Sequence, residues 1–276
     1  MTYKTVMVHL DLEQPSEPAL RVTRELADRF KSNVIGVTAG LPSAPIHADG
    51  MIATSVLELD YEELNQAIGR CESHFRSALN GVGGALEWRA EAAYPADFLA
   101  REARAADLLV VGRAENYAKF GGTRQLLEIG DAVMQAGRPV VVVPPRCTSL
   151  ALNRILIAWK DSAETRRALP AALPLLRQAS ELTVVEIVSG ESERAAADAR
   201  VADVVKWLQR HGIRASARIE PSAGDVGSQL DAIAAEARID LVVAGAYGHT
   251  RLSEWIFGGV TRHLLQHGAT CACLVH

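Results

Sequence analysis

The chain has 276 residues, of which 49% are hydrophobic and 22% charged, with a net charge of −4 and a pI of about 6.1. This length is typical of two domains, and the mild acidity gives no bulk attraction for nucleic acid or for an anionic membrane. No apolar run reaches the roughly 18 residues of a membrane span. The start lacks the apolar stretch of a signal peptide, and four cysteines form no disulfide framework, so a cytoplasmic protein is expected.

The first elements predict an internal duplication. A short aliphatic strand at residues 6–11 opens into an amphipathic helical pattern over residues 16–30. The same pair recurs in the middle of the chain, as a strand at residues 155–160 and a helix over residues 163–177. We therefore interpret the chain as two repeats of one unit.

The later elements repeat in the same order, each strand followed by a helix. The further strands are predicted at residues 33–38, 87–92, 107–112 and 140–143 in the first half and at 181–188, 214–219, 240–245 and 273–275 in the second. Unbroken aliphatic runs such as Val140 to Val143 are typical of parallel strands covered on both faces. The predicted fold is α/β, with two doubly wound, Rossmann-like repeats that each contain a five-stranded parallel sheet. A ligand is expected beyond the carboxyl ends of the strands, where the strand order reverses.

A proline-rich segment over residues 144–149 separates the halves, so we place the domains at residues 1–147 and 148–276. The first half also has an extra stretch at residues 41–80. Its later part has a helical pattern, and its earlier part is expected to be a loop. That loop either covers a site or is a variable surface excursion, and the second interpretation is favoured.

The segment after the last predicted parallel strand is rich in glycine. Gly245 ends the strand, Gly248 follows it, and Gly258 comes just before the final helix. Glycine permits a positive φ and lets backbone N–H groups approach a ligand closely. The free amides of a helix start favour phosphate. The alternative is that these glycines only shape turns.

This spacing resembles the Gly-x2-Gly-x9-Gly-Ser/Thr signature of nucleotide-binding universal stress proteins. The order of elements resembles that family twice, over nearly the whole chain. The resemblance implies an adenine-nucleotide-hydrolase-like fold that binds ATP in the second half, with Mg²⁺ or Mn²⁺ on the phosphates. The phosphate contacts that it implies are Gly245, Gly248, Gly258, Gly259, Val260 and Thr261. The implied adenine and ribose contacts are Ala158, Trp159, Lys160 and Ile187.

Two positions of the second half depart from the family pattern. Gly259 replaces the hydroxyl residue, which removes about 1 kcal/mol of a net hydrogen bond unless Thr261 compensates. Lys160 replaces the aspartate that contacts adenine, whereas the first half keeps Asp11 at that position. The first half instead lacks the second glycine after Gly112 and is expected to be structural or to form a partner surface. A protein with no bound cofactor is therefore an equal expectation.

Other candidate residues favour packing over chemistry. Cys271 and Cys273 lie two apart and would share one strand face, which fits buried apolar packing better than a metal pair. His9 is expected to be a hydrogen-bonded residue at a strand end. The sequence has no Walker-type motif, nucleophile elbow or paired carboxylates near the glycines, so no catalytic residue and no metal ligand are predicted.

Three functions follow from these features. The first is a regulatory stress-response protein that binds ATP or a related nucleotide. The second is a ligand-free protein-interaction module, and the third is a slow nucleotide hydrolase with weak ATPase activity at most. The two repeats are expected to pack as an internal pseudo-dimer through their last strands, and the chain is expected to form a homodimer and to contact a protein partner.

Overall fold

Ten strands form one continuous sheet in the computed structural model, which describes residues 2–14, 16–42, 54–114, 126–247 and 259–276. The strands are β1 Thr5–His9, β2 Asn33–Ala39, β3 Leu86–Glu91, β4 Leu108–Gly112, β5 Val140–Val143, β6 Arg154–Trp159, β7 Glu181–Val188, β8 Ser216–Pro221, β9 Leu241–Gly245 and β10 Cys271–Val275. Their order is β3-β2-β1-β4-β5-β10-β9-β6-β7-β8. Neighbours are parallel except β5 and β10, which pair antiparallel where the two five-stranded halves meet.

Helices cover both faces of this sheet. They are α1 Glu17–Phe30, α2 Thr54–Ala78, α3 Pro95–Glu102, α4 Ile129–Gln135, α5 Ala163–Leu176, α6 Glu191–Arg210, α7 Val226–Glu236 and α8 Gly259–Gln266. The buried residues of α1, α2, α5 and α6 share one apolar core layer, and those of α3, α4, α7 and α8 share the other. Each layer runs through both halves, so the two repeats share their cores.

Two aspartates occupy matching places in the two halves. One carboxylate oxygen of Asp107 accepts hydrogen bonds from the backbone N–H groups of Lys4 and Thr5, at 2.7 and 3.0 Å. One oxygen of Asp240 accepts from Asn153 and Arg154 in the same way, at 2.7 and 2.9 Å. Each aspartate therefore joins the start of its repeat's fourth strand to the start of its first.

The connection between the halves lies against α1. The guanidinium of Arg21 donates to the carbonyls of Cys147 and Thr148, at 3.4 and 3.3 Å. One helical turn later, Glu25 accepts from the N–H of Leu150 at 2.6 Å. Another turn on, Arg29 donates to the carbonyl of Ala151 at 2.9 Å. This segment, residues 147–151, is called the strap below. It is bound by one face of a helix, unlike a freely moving linker.

The extra stretch of the first half contains the predicted helix, α2. Its earlier part, residues 43–53, lies outside the described residues. Among the helices in the described ranges, none is both long and apolar enough to span a bilayer.

Candidate functional site

The strand order of the second half reverses between β6 and β9, and several predicted contacts lie at this point. Ala158 of β6 pairs with Ala244 of β9, directly before Gly245. Because neighbouring strands here are parallel, the carboxyl ends of β6, β7 and β9 meet at one edge of the sheet. This is the place where a doubly wound sheet binds its ligand.

Gly245 has a packing reason for its missing side chain. A Cβ at this position would lie 2.4 Å from the backbone nitrogen of Thr165 and 2.7 Å from the backbone carbonyl carbon of Glu164, at the start of α5. Gly112 holds the matching place at the end of β4, where a Cβ would lie 2.2 Å from that of Ser16. Helix packing is therefore sufficient to explain Gly245, and any ligand contact there involves its backbone.

The start of α8 is open. Gly259 is exposed, and no described residue lies within 4 Å of a Cβ built on it. The first turn of the helix contains no acidic residue. The first N–H groups of a helix have no intrahelical partner and carry partial positive charge, so this end can receive an anion.

Thr261 turns inward, as compensation for Gly259 would require, but its hydroxyl already has a partner. The side chain is 5% exposed, and Oγ1 accepts a hydrogen bond from the N–H of Tyr247 at 3.4 Å. Tyr247 has a φ of 62°, which is rare for a residue with a side chain. Thr261 therefore ties the residue after β9 to the first turn of α8 and holds the two ends of the glycine segment together.

The structure brings some predicted contacts together and separates one. Ala158, Ile187 and Val260 are half-buried against the same core layer, on the side of the sheet that carries α8. Trp159 belongs to the opposite layer, because neighbouring residues of a strand point to opposite faces. Its ring, with that of Trp207 from α6, lines a separate groove of about 440 Å³.

Lys160 and Asp161 follow β6 and are both exposed. Asp161 forms an ion pair with Arg166 at 2.5 Å. The carboxylate nearest to the missing aspartate is therefore engaged with an arginine on α5. Gly248 and Gly258 lie outside the described residues, together with His249, Arg251 and Trp255.

The matching place in the first half is filled by larger side chains. Strand register aligns His9 with Ala158, because their strand partners Val111 and Ala244 both directly precede the glycine that ends the fourth strand. His9 is buried and its Nε2 has no hydrogen-bond partner among the described residues, contrary to the prediction of a hydrogen-bonded histidine. Burial lowers the pKa of His9 to about 4, although the charge of Asp11 opposes this shift.

The helix start of the first half is covered as well. Val140 of β5 and Ala272 of β10 occupy equivalent positions in the two halves. Leu127 precedes Val140 by the same number of residues as Gly259 precedes Ala272, so Leu127 is the counterpart of Gly259. Its side chain is only 5% exposed. The first turn of α4 contains Asp131. A carboxylate and an apolar side chain both disfavour phosphate at this end.

Sequence reasoning missed His9 and Leu127 as residues that fill the first site. The alignment of the two halves contains the signal, since His9 stands opposite Ala158. It also missed Cys147, whose sulfur lies 3.5 Å from that of Cys271. Among the described residues, no group of three or more His, Cys, Asp or Glu side chains could hold a metal ion.

Comparisons with known proteins agree with this architecture. The sequence model of the universal stress protein family matches residues 151–275. A universal stress protein from Archaeoglobus fulgidus DSM 4304 superposes with a TM-score of 0.72 at 14% identity, covering 98% of this chain and 95% of that one. A functionally unknown protein from Pseudomonas aeruginosa PAO1 has a TM-score of 0.61 at 14% identity, with coverage of 99% and 92%. At such identity the two structures show a shared fold across both halves. A search of the curated proteins found no match.

Proposed function

The universal stress protein family model matches residues 151–275, and we propose that the chain is a member of this family whose second half binds ATP or a related nucleotide as a stress-response regulator. The observation that carries this proposal is the open start of α8 above the strand reversal. There the exposed Gly259 lies on the same side of the sheet as the half-buried Ala158 and Ile187.

The described residues fit such a ligand in two respects. Ala158 is small and leaves room at the strand reversal, whereas the first half carries a buried imidazole there. Ile187 offers an apolar surface near the end of β7 against which an adenine ring can pack. The backbone N–H groups at Gly259 and Val260 would contact the phosphates, together with those at Gly245, Gly248 and Gly258. Mg²⁺ or Mn²⁺ would be held mainly by the phosphate oxygens.

Calorimetric titration with ATP and Mg²⁺ tests the proposal, after identification of any nucleotide released on denaturation. Gly259→Glu should abolish the binding heat, because it places a negative charge at the helix start. The variant should fold, since none of the residues that the structure describes lies within 4 Å of its Cβ.

The matched control is Gly259→Gln, which has nearly the same shape without the charge. We expect ATP to bind the glutamine variant at least tenfold more tightly than the glutamate variant, because about 1.4 kcal/mol of electrostatic energy corresponds to tenfold. Equal ATP affinities for the wild type and Gly259→Glu would show that ATP does not bind at the start of α8.

A ligand-free interaction module is the second candidate function. Lys160 is exposed in place of the expected aspartate, and Asp161 is paired with Arg166, so an acidic contact for adenine is missing. Absence of both released nucleotide and binding heat at millimolar ATP would favour this candidate.

A further inference from the structure

Two cysteines that are far apart in the chain meet at the junction of the two halves. Cys147 lies on the strap and Cys271 begins β10, and their sulfurs are 3.5 Å apart. Both are free cysteines. A disulfide bond is about 2.05 Å long, so the sulfurs would have to approach by only about 1.5 Å.

The two thiols differ in access. Cys271 is 3% exposed, whereas Cys147 is partly exposed and lies in a segment without regular secondary structure. Cys147 is therefore the more accessible of the two residues. This is the usual arrangement of an attacked cysteine and a resolving cysteine.

From this geometry we propose that Cys147 and Cys271 form a peroxide-reactive dithiol that closes to a reversible disulfide between the strap and the last strand. The sulfur of Cys147 attacks one oxygen of hydrogen peroxide, and the O–O bond breaks. Cys147 becomes a sulfenic acid, and the leaving hydroxide takes a proton to form water. The sulfur of Cys271 then attacks that of Cys147, and the departing hydroxide leaves as water with the thiol proton. Two thiols and one peroxide thus give one disulfide and two waters.

The electrostatics of the pair agree with these roles. The hydrogen bond with Cys271 lowers the pKa of Cys147 to about 7, against the opposing effects of burial and the Glu25 charge, and Ser149 and the Arg21 charge add smaller contributions in the same direction. The same hydrogen bond and burial raise the pKa of Cys271, which therefore keeps its proton. A thiolate is the nucleophilic form of cysteine, so Cys147 is the sulfur that reacts first near neutral pH.

The disulfide would join two parts of the molecule that already meet. The strap is held by Arg21, Glu25 and Arg29 of α1, and β10 pairs with β5 at the junction of the halves. The bond would also enclose nearly the whole second half in one covalent loop, and a disulfide across a long loop restricts the unfolded chain strongly. Peroxide would therefore stabilise the second half against unfolding.

Thiol counting in denaturant, before and after peroxide treatment of the purified chain, tests the proposal. The wild type should fall from four free thiols to two, and a thiol reductant should restore all four. Cys147→Ser should keep its three thiols under the same treatment. The matched control is Cys273→Ser, which removes a buried thiol two residues from Cys271 and should fall from three thiols to one. Peptide mass mapping of the oxidised wild type should recover residues 147 and 271 in one cross-linked fragment.

A further variant separates the two chemical steps. In Cys271→Ser the sulfenic acid on Cys147 has no resolving thiol, so dimedone should label residue 147 in this variant and much less in the wild type. Four thiols remaining in the oxidised wild type would overturn the proposal. A cross-link between other cysteines, or equal thiol loss in Cys147→Ser, would do so as well.

Discussion

The two halves of the chain share a scaffold and differ at the place where a ligand would bind. Asp107 and Asp240 make equivalent pairs of backbone hydrogen bonds. Gly112 and Gly245 each pack closely against the start of a helix, α1 in the first half and α5 in the second. At the strand reversal, however, the first half carries a buried histidine where the second carries Ala158. A repeat can therefore lose its site through a few side chains while its fold stays intact, because the scaffold contacts lie elsewhere.

The largest expected effect tests the shared scaffold. Gly245→Ala and Gly112→Ala should each lower the free energy of unfolding by about 3 kcal/mol, because the added Cβ overlaps atoms of the adjoining helix start. Urea unfolding of the two variants measures this loss.

Rescue should distinguish the two positions. The nearest atoms at Gly112 belong to the side chain of Ser16, so Ser16→Gly should recover most of the loss, at a cost of only a few tenths of a kcal/mol for the weaker helix cap. At Gly245 the nearest atoms are backbone, and Thr165→Ala should recover little. Rescue of both glycine variants, or of neither, would contradict this account of the close packing.

The next largest effect is the pH dependence of stability that arises from His9, whose side chain fills the strand reversal of the first half. His9 is buried in its neutral form, with its pKa lowered to about 4, whereas an unfolded histidine titrates near 6.5. The unfolded chain therefore binds the additional proton as the pH falls below about 6.5, and this destabilises the native state. His9 should cost about 2 kcal/mol of stability between pH 7 and pH 4.5, and the loss should continue until the native histidine also titrates.

His9→Ala, which copies the second half, is the matched variant. The cavity left by the substitution should lower the free energy of unfolding at pH 7. The part of its pH dependence that comes from the titration of His9 should disappear. Unfolding free energies of both proteins across this range make the comparison, since the titration of the other groups is common to both. An unchanged slope in His9→Ala would mean that the histidine is solvated in the native state.

Much of this contrast can be predicted from the sequence, and the reasons differ from residue to residue. Aliphatic runs and helical periodicity were sufficient to predict the alternating order of strands and helices, because parallel strands that are buried on both faces appear in the sequence as unbroken apolar runs. The opposite faces of Ala158 and Trp159 also follow from strand alternation. Pairing of Cys147 with Cys271 could not be predicted, because it depends on how α1 holds the strap.

The smallest expected effect addresses the missing hydroxyl in the second half. Gly259→Ser restores the residue type of the family signature at an exposed position whose Cβ would meet none of the described residues within 4 Å. If nucleotide binds at α8, the new hydroxyl should add about 1 kcal/mol, or roughly fivefold in ATP affinity. Calorimetric titration with ATP and Mg²⁺ measures the gain.

Gly259→Ala separates the hydroxyl from the other consequences of losing a glycine. Both substitutions add a Cβ and reduce the freedom of the unfolded backbone, so both change stability in a similar way. Only serine adds a hydrogen-bond donor for a phosphate oxygen, and the affinity gain should be confined to it. An equal gain in both variants would point to ordering of the helix start. A gain in neither would leave backbone amides as the whole of the phosphate contact at α8, and the first half would then differ from the second by the side chains that fill its site and by the Asp131 carboxylate at its helix start.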